Sequence, residues 1–316
     1  MESSPVRISV ILVNYKNVVL TEKCIQSILL SNPQTSFEII VVDNHSEDGS
    51  TETLRSQFPE ITVLDSGKNG GFAFGNNIGV KLARGKYLLL LNNDTEVKTG
   101  MLDALYDFSE RNPNVGMVGC KALDRNGEEL PINHRYENGK RIWLQTHIKP
   151  LLERMGLQRR LVKRIERREN SEKAFLPAQW IAGSAMFIER ELYIRVDGLD
   201  ENYFMYMEDE DLCRRLHNAG YKVGIIPFVG YVHYCGGSTI PSYFLTKEYL
   251  KSRMVFFMRY ESQGFSRIRK QLYRQIPVVN VNLSKNEITK MQYELNEFAQ
   301  SELKQKAQNV RGIKSE

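Results

Sequence analysis

The chain lacks most of the features that mark a secreted or membrane-spanning protein. Its four cysteines among 316 residues, Cys24, Cys120, Cys213 and Cys235, lie far apart and form no CxxC or Cys/His spacing. Neither a disulfide framework nor a zinc site is expected, and a reducing compartment fits best. No apolar run approaches the roughly 20 residues that cross a bilayer. The only early apolar stretch, Ile8 to Val13, is too short for a signal-peptide core and runs into Asn14 and Tyr15. A cytoplasmic location is the expectation. There is no internal repeat, and no linker is long or polar enough to separate independent domains. One compact catalytic domain with appendages is therefore expected.

A strong overall charge is missing too: the formal net is +5, but it is unevenly placed. From Lys140 to Arg168 ten Lys/Arg face only Glu153 and Glu166, a local net of +8. From Leu245 to Tyr273 seven Lys/Arg face Glu248 and Glu261, a net of +5. These segments carry no interleaved aromatic platform and no nucleic-acid-binding module, so nucleic acid is excluded as a partner. Mixed with Ile142, Trp143, Leu144 and further apolar residues, the first segment suits an interfacial helix on an anionic membrane surface, or else a solvated helix packed on the core. The second, with Phe256 and Phe257, could lie beside it.

What the sequence does contain is a regular alternation of strands and helices. RISVILVN (7–14) and FEIIVV (37–42) read as buried strands, with a helix between them at the spacing of Leu20, Cys24, Ile28 and Leu29. Thr21 or a neighbour can cap that helix, and Asn32-Pro33 stops it. Residues 46–50 form a turn, 51–58 a short helix and 61–64 a strand. Gly70 to Ala83 is a Gly-rich loop entering a helix, and Lys86 to Leu91 a strand. Met101 to Glu110 is a helix and Val115 to Leu123 a strand. After the basic, helical stretch between Arg135 and Ser171, strand character resumes over Trp180–Ile188, a helix spans Asp209–Asn218, and Lys222–Ile226 is a strand. A helical tail follows Tyr243. Such alternation argues for a mostly parallel sheet flanked by helices, with ligands gathering beyond the carboxyl ends of its strands.

Four polar clusters sit at such ends. Asp43-Asn44 suits a nucleobase N–H or ribose hydroxyls, or is a turn-forming Asx. Asn92-Asn93-Asp94 suits a divalent cation on a diphosphate, with Asp94 the natural ligand, or is the cap of a helix over Thr95–Gly100. Glu208-Asp209-Glu210-Asp211 places four like charges together at a helix start. The macrodipole favours acids there, and removing a proton from a sugar hydroxyl also needs a carboxylate. His233, followed by Gly236-Gly237-Ser238, suits a metal or phosphate, or is a structural histidine.

The order of these stretches resembles the family 2 glycosyltransferases of the GT-A fold, in their bacterial rhamnosyltransferase-like branch. The matching segments are VILVNYKN (10–17), IIVVDNHSEDGS (39–50), KNGGFAFGNNIGV (68–80), YLLLLNNDTEV (87–97), WIAGSAMFIER (180–190), GLDENYFMYMEDEDLCRRLHNAGYKV (198–223) and HYCGGST (233–239), covering most of residues 6–240. The resemblance implies a Rossmann-like α/β domain over 1–243. It comprises a nucleotide-sugar half (6–125), the basic insertion (135–175) and an acceptor and catalytic half (176–243), followed by a helical basic extension over 244–316. It implies that Asp43 contacts uracil or thymine, that Gly71 and Asn76 line the nucleotide pocket, and that Asn14, Asn44, Asn92 and Asn93 belong to the same site. Asp94 and His233 would hold Mg²⁺ or Mn²⁺; the family's Asp-x-Asp reads Asn-x-Asp here. Asp209 matches the catalytic base, with Glu208 and Asp211 beside it in the catalytic group, where Asp211 would hold the helix start or an acceptor hydroxyl. The implied reaction is inverting transfer of a sugar, rhamnose first, from a dTDP- or UDP-sugar to a hydroxyl of a glycan or lipid-linked acceptor in cell-surface polysaccharide synthesis. The rivals are a nucleotidyltransferase, which would want a Gly-rich, Lys/Arg-bearing loop after the first strand, and a nucleotide-binding module of the same fold without activity. Oligomeric state is not legible.

Overall fold

The computed structural model describes residues 5–136, 138–139, 174–234, 242–280 and 282–312. The chain divides into two compact units, one made of Met1–Tyr136 with Ser171–Thr239 and the other of Glu137–Asn170 with Ile240–Glu316. The basic segment 140–168 lies outside the described residues, as do Cys235 and Gly236-Gly237-Ser238.

In the first unit the elements run β1 (Ile8–Asn14), α1 (Val18–Leu30), β2 (Phe37–Asp43), α2 (Ser50–Gln57), β3 (Thr62–Asp65), α3 (Gly71–Leu82), β4 (Tyr87–Asn92), β5 (Thr95–Val97), α4 (Met101–Arg111) and β6 (Val115–Leu123). Then follow β7 (Glu129–Leu130), β8 (Asn133–His134), β9 (Leu176–Pro177), β10 (Trp180–Ile181), β11 (Ala185–Glu189), α5 (Arg190–Arg195), α6 (Glu208–Asn218) and β12 (Lys222–His233). The main sheet runs β3-β2-β1-β4-β11-β6-β12-β5, with β7 on β6 and β9 on β12. β1 pairs in parallel with both β2 and β4, and β6 in parallel with β12, while β11 enters antiparallel between β4 and β6. β1 lacks Gly and Pro and is rich in Val and Ile. Its apolar residues are almost all fully buried, as both faces of a central strand must be.

Chain order reverses beside β1: β2 and β3 are laid down on one side of it and β4 on the other. Such a switch point opens a crevice beyond the strands' carboxyl ends, where Asn14, Asp43 and the Asn92–Asp94 turn are delivered. Glycines at every fourth position bring α3 close to this sheet. A Cβ at Gly79 would stand 2.5 Å from Ile11 Cγ2, and one at Gly75 2.8 Å from Val13 Cγ1.

Four expectations are corrected. Thr21 does not cap α1: the helix begins after Asn17, which makes no side-chain cap bond, and Thr21 lies in its first turn. Thr95–Gly100 is not a helix; Thr95–Val97 is strand β5, drawn into pairing with β12, so Asp94 caps nothing. Trp180–Ile188 is not one strand, because Gly183-Ser184 breaks it into β10, paired with β8, and β11 in the main sheet. The strand from Lys222 does not stop at Ile226. A register irregularity between Ile226 and Gly230 absorbs Pro227, which has no N–H to give the ladder, and pairing resumes to His233.

The second unit contains α7 (Tyr243–Tyr260), α8 (Phe265–Val279) and α9 (Lys285–Gly312). Leu250, Met254 and Phe257 on α7, Ile268, Leu272 and Ile276 on α8, and Met291, Leu295 and Ala299 on α9 recur every three or four residues, and all are buried. Ser242 caps α7 by accepting from Leu245 N at 3.1 Å, and Ser284 with Glu287 forms a capping box ahead of α9. Phe256 and Phe257 are 0% exposed, which corrects their reading as surface residues beside a membrane: they are the interior of this unit.

Candidate active site

The strand ends build a polar floor. Asn14, wholly buried, donates from Nδ2 to Asp43 Oδ1 at 2.5 Å, because the parallel register sets these two residues side by side. Asp43 also accepts from Ser46, through its hydroxyl at 2.6 Å and its backbone N–H at 2.8 Å. Asn44 donates to Gly71 O at 2.9 Å. Three of the expected nucleotide contacts, Asn14, Asp43 and Asn44, therefore turn their side chains to one another and to the adjoining turns. They are the frame of the crevice rather than its free surface.

Gly71 is needed for its conformation. It sits at φ +87°, and a Cβ there would stand 1.9 Å from Phe204 O, the carbonyl that accepts from Phe72 N at 2.8 Å. That bond ties the start of α3 to the approach to α6. Asn76 donates to Phe72 O at 2.9 Å, while its Oδ1 is buried with no partner among the described residues.

Beyond β4, Asn93 donates to Thr21 Oγ1 at 2.8 Å, and Asn92 Nδ2 lies 3.4 Å from His233 Nε2. Asp94 Oδ1 is 3.1 Å from the same nitrogen. Pairing of β12 with β5 creates this meeting: His233 is opposite Thr95, and Tyr234 N donates to Asp94 O at 2.9 Å. Residues 139 positions apart are thus joined into an oxygen and nitrogen pair. Among the described residues no third His, Cys, Asp or Glu joins them.

The four acids of α6 separate into two kinds. Asp211 is fully buried; Arg215 Nε donates to it at 2.8 Å and the Tyr203 hydroxyl at 3.3 Å. Arg215 also reaches Val196 O and Gly198 O, so this pair braces the loop before the helix. Glu210 is 1% exposed, with Arg214 3.6 Å away. Both arginines lie one helical turn on, a signal legible in the sequence as Glu210/Arg214 and Asp211/Arg215.

Among the described residues Glu208 and Asp209 have no such cation. Asp209 Oδ2 accepts from Gly183 N at 2.8 Å and its Oδ1 from Glu210 N at 2.8 Å. Burial raises its pKa to about 6 despite those two N–H bonds, which favour the charged form. Glu208 is 5% exposed, and its Oε2 finds no partner among the described residues. Burial, and then the neighbouring Asp209 charge, push its carboxyl well above the usual range. The helix is entered through two consecutive left-handed residues, Tyr206 (φ 67°) and Met207 (φ 73°).

Sequence reasoning missed Gly183 and Ser184 as parts of this site. The break between β10 and β11 aims Gly183 N at Asp209, and Ser184 O accepts from Asn92 N at 3.0 Å while its hydroxyl meets Tyr231 OH at 2.6 Å. Gly-Ser inside an otherwise apolar strand was the available signal.

The glycosyl transferase family 2 model matches residues 9–182, and a second model, described as the N-terminal domain of galactosyltransferase, matches residues 164–235, which include Asp209 and His233. An N-acetylglucosaminyl-diphospho-decaprenol L-rhamnosyltransferase of Mycobacterium tuberculosis is 28% identical over 243 residues, 73% of this chain and 76% of that protein. Rhamnosyltransferase WbbL of Escherichia coli is 29% identical over 207 residues, 63% of this chain and 73% of that protein. The low-salt glycan biosynthesis hexosyltransferase Agl10 of Haloferax volcanii is 27% identical over 232 residues, 72% of this chain and 66% of that protein. Among solved structures, GalNAc-T7 with UDP, GalNAc and Mn²⁺ superposes with a TM-score of 0.56 at 15% identity, over 93% of this chain and 55% of that one, a likeness of fold alone. The family model spans more than half of the sequence, over a mixed, mostly parallel GT-A-like sheet that carries its polar residues at the strand ends: the chain belongs to glycosyl transferase family 2 and is a glycosyltransferase.

Proposed function

We propose that the enzyme transfers a sugar, rhamnose from dTDP-rhamnose before a hexose from a UDP-sugar, to a hydroxyl of a glycan or lipid-linked saccharide, with inversion in one displacement. The observation that carries this reading is Asp209, a partly buried carboxylate fixed by two backbone N–H groups, with its pKa raised to about 6. A base poised just below neutral pH is ionised in use yet avid enough for a proton. Asp209 takes the proton of the acceptor hydroxyl as that oxygen bonds to the anomeric carbon. The bond from that carbon to the diphosphate breaks, and its electron pair leaves with the nucleoside diphosphate. Burial and the Asp209 charge push the Glu208 carboxyl beside it well above the usual range, which disfavours a second negative charge in the site.

Asp94 and His233 suit a divalent cation such as Mg²⁺ or Mn²⁺: a carboxylate oxygen and an imidazole nitrogen 3.1 Å apart leave further positions for diphosphate oxygens and water. When bound, such a cation neutralises the charge that grows on the departing diphosphate. The orphaned Oδ1 of Asn76 wants a donor, which a nucleotide N–H or hydroxyl supplies. In this reading residues 6–125 hold the donor, 176–243 the acceptor, and the helical unit after 243 is an extension. The relatives named as rhamnosyltransferases support rhamnose and a lipid-linked acceptor. No helix among the described residues is long and apolar enough to cross a membrane.

A panel of dTDP-rhamnose, UDP-glucose and UDP-galactose, read by hydrolysis and by thermal stabilisation, tests the donor. dTDP-rhamnose should give the largest response in both. Silence toward every nucleotide sugar would overturn the assignment.

A further inference from the structure

Helix α1 presents a polar row to the segment that carries Asp94, where a helix against a sheet ordinarily turns an apolar face. Thr21, Cys24 and Ser27 recur every third residue on it. Ser27 Oγ accepts from Val97 N at 2.9 Å, and Cys24 Sγ stands 3.4 Å from Thr95 Oγ1. Burial pushes the Cys24 thiol up to about 12, so it is inert packing rather than a nucleophile. Thr21 occupies the end of this row, and its bonds run in two directions. Its hydroxyl accepts from Asn93 Nδ2 at 2.8 Å and donates to Asn14 Oδ1 at 2.8 Å. Asn14 then donates to Asp43 Oδ1 at 2.5 Å. The shorter bonds run one way, from the turn that bears Asp94 to the carboxylate at the end of β2, although Asn17 O, 3.1 Å from the Thr21 hydroxyl, is a second acceptor for its proton.

Thr21, Asn14 and Asp43 are 2% exposed or less, so water cannot stand in for a missing member. A hydroxyl is the smallest group that both accepts and donates through one atom, and Thr21 supplies it at the one point where β1, β4 and α1 converge. Removing it would leave the Asn93 amide and the buried Asn14 carbonyl only their long direct bond, 3.5 Å from Asn93 Nδ2 to Asn14 Oδ1, and so loosen the Asn92–Asp94 turn against Asp43.

We propose that Thr21 is a positioning residue, acting through Asn93 and Asn14, that locks the nucleoside end of the donor site to its diphosphate end; this rests on the nucleotide-sugar reading given above. Its signature is coupling. A cation at Asp94 and a nucleotide at the crevice should reinforce each other only while the two strand ends are locked.

The test is calorimetric binding of UDP and dTDP to the full chain, with Mn²⁺ and with EDTA, for wild type, Thr21→Val and Thr21→Ser. Val keeps the shape and removes the hydroxyl, whereas Ser keeps the hydroxyl. The expected result is a loss of about tenfold in the gain of nucleotide affinity that Mn²⁺ confers on going to Val, with Ser within about threefold of wild type. Equal gains in wild type and Thr21→Val, or equal losses in Val and Ser, would overturn the inference, since a merely structural threonine would change the melting temperature and not the coupling. If Val prevents folding, Asn93→Ala removes the same bond from its half-exposed end and is held to the same outcomes. Wild type that binds neither nucleotide under any condition overturns the donor reading, and this inference with it.

Discussion

Asn14 and Glu208 are both buried polar side chains at the ends of secondary-structure elements, and they are treated in opposite ways. Asn14 has both ends of its amide satisfied, toward Asp43 and toward Thr21, on a backbone held by parallel pairing on both sides. Glu208 has an oxygen with no partner among the described residues, a carboxyl pushed well above its ordinary range, and two left-handed residues before it. The Asn14 end of the floor is fully bonded, while the start of α6 concentrates raised pKa values; left-handed non-glycine residues lie on both sides, at Lys16, His45 and Glu47 as at Tyr206 and Met207. A binding floor gains from rigidity. A general base must instead be kept from full solvation, and unsatisfied neighbours are one cost of that.

Asp209→Asn breaks the comparison hardest. It keeps the shape and one of the two accepted N–H bonds but removes the proton acceptor, so turnover should fall by roughly 10² to 10⁴ while UDP or dTDP binding is retained. In wild type kcat/KM should rise with pH and level off above about 6, the value to which Asp209 is raised, and the variant should lose that limb. The sign for stability is opposite. A carboxyl whose folded pKa is raised stabilises fully below about pH 4, and this contribution is lost as pH climbs through the folded value. The change in melting temperature on Asp209→Asn should therefore be more favourable at pH 8 than at pH 4, on top of a pH-independent loss from the one N–H bond that the amide cannot accept. Near-normal turnover would move the base to Glu208.

Asp211→Asn probes the other kind of acid on the same helix. Arg215 would keep its charge beside a buried neutral amide, so the fold should lose about 3 kcal/mol in denaturant unfolding. Turnover per folded molecule should stay near that of wild type. A large fall in turnover with unchanged stability would return Asp211 to the chemistry.

The contrast between these two acids was only half legible in the sequence. The strand ends were readable because buried β-branched runs such as Ile8–Val13 and Tyr87–Leu91 must stop where polar residues begin, which placed Asn14, Asp43 and Asn92–Asp94 on one edge. The start of α6 was readable as a run of acids, but the role of each depended on what lay opposite. Gly183 comes from a break in a strand, and the Val196 and Gly198 carbonyls come from a loop. Likewise the extension of β12 past Pro227, which delivers His233 to Asp94, follows from pairing with β5 and β6 and not from any local propensity.

Asp94→Ala sharpens the comparison from the floor side. If the floor works by holding a cation, this change and EDTA should each reduce transfer by roughly 10², and His233→Ala by less, with the pH limb at about 6 intact in each. Restoration by excess Mn²⁺ should be partial for His233→Ala and absent for Asp94→Ala. Full activity in EDTA would show that the Asn-x-Asp turn stabilises the leaving group without a metal.

The smallest expected effect concerns the strain itself. Tyr206 is 43% exposed at φ 67°, in a conformation that costs a residue with a Cβ roughly 1 kcal/mol and glycine very little. Tyr206→Gly removes that cost but also frees the peptide that aims Glu208 and Asp209 into the site. Urea unfolding should therefore show a gain of up to about 1 kcal/mol, reduced by whatever contacts the ring makes, together with a several-fold loss of kcat. A paired change on the floor side, Ser46→Ala, should do the reverse: it deletes a buried hydroxyl bonded to Asp43, lowering stability by about 1 kcal/mol and weakening donor binding more than kcat. If both variants shift stability and kcat in the same direction, the division between a bonded floor and a base kept short of hydrogen bonds fails.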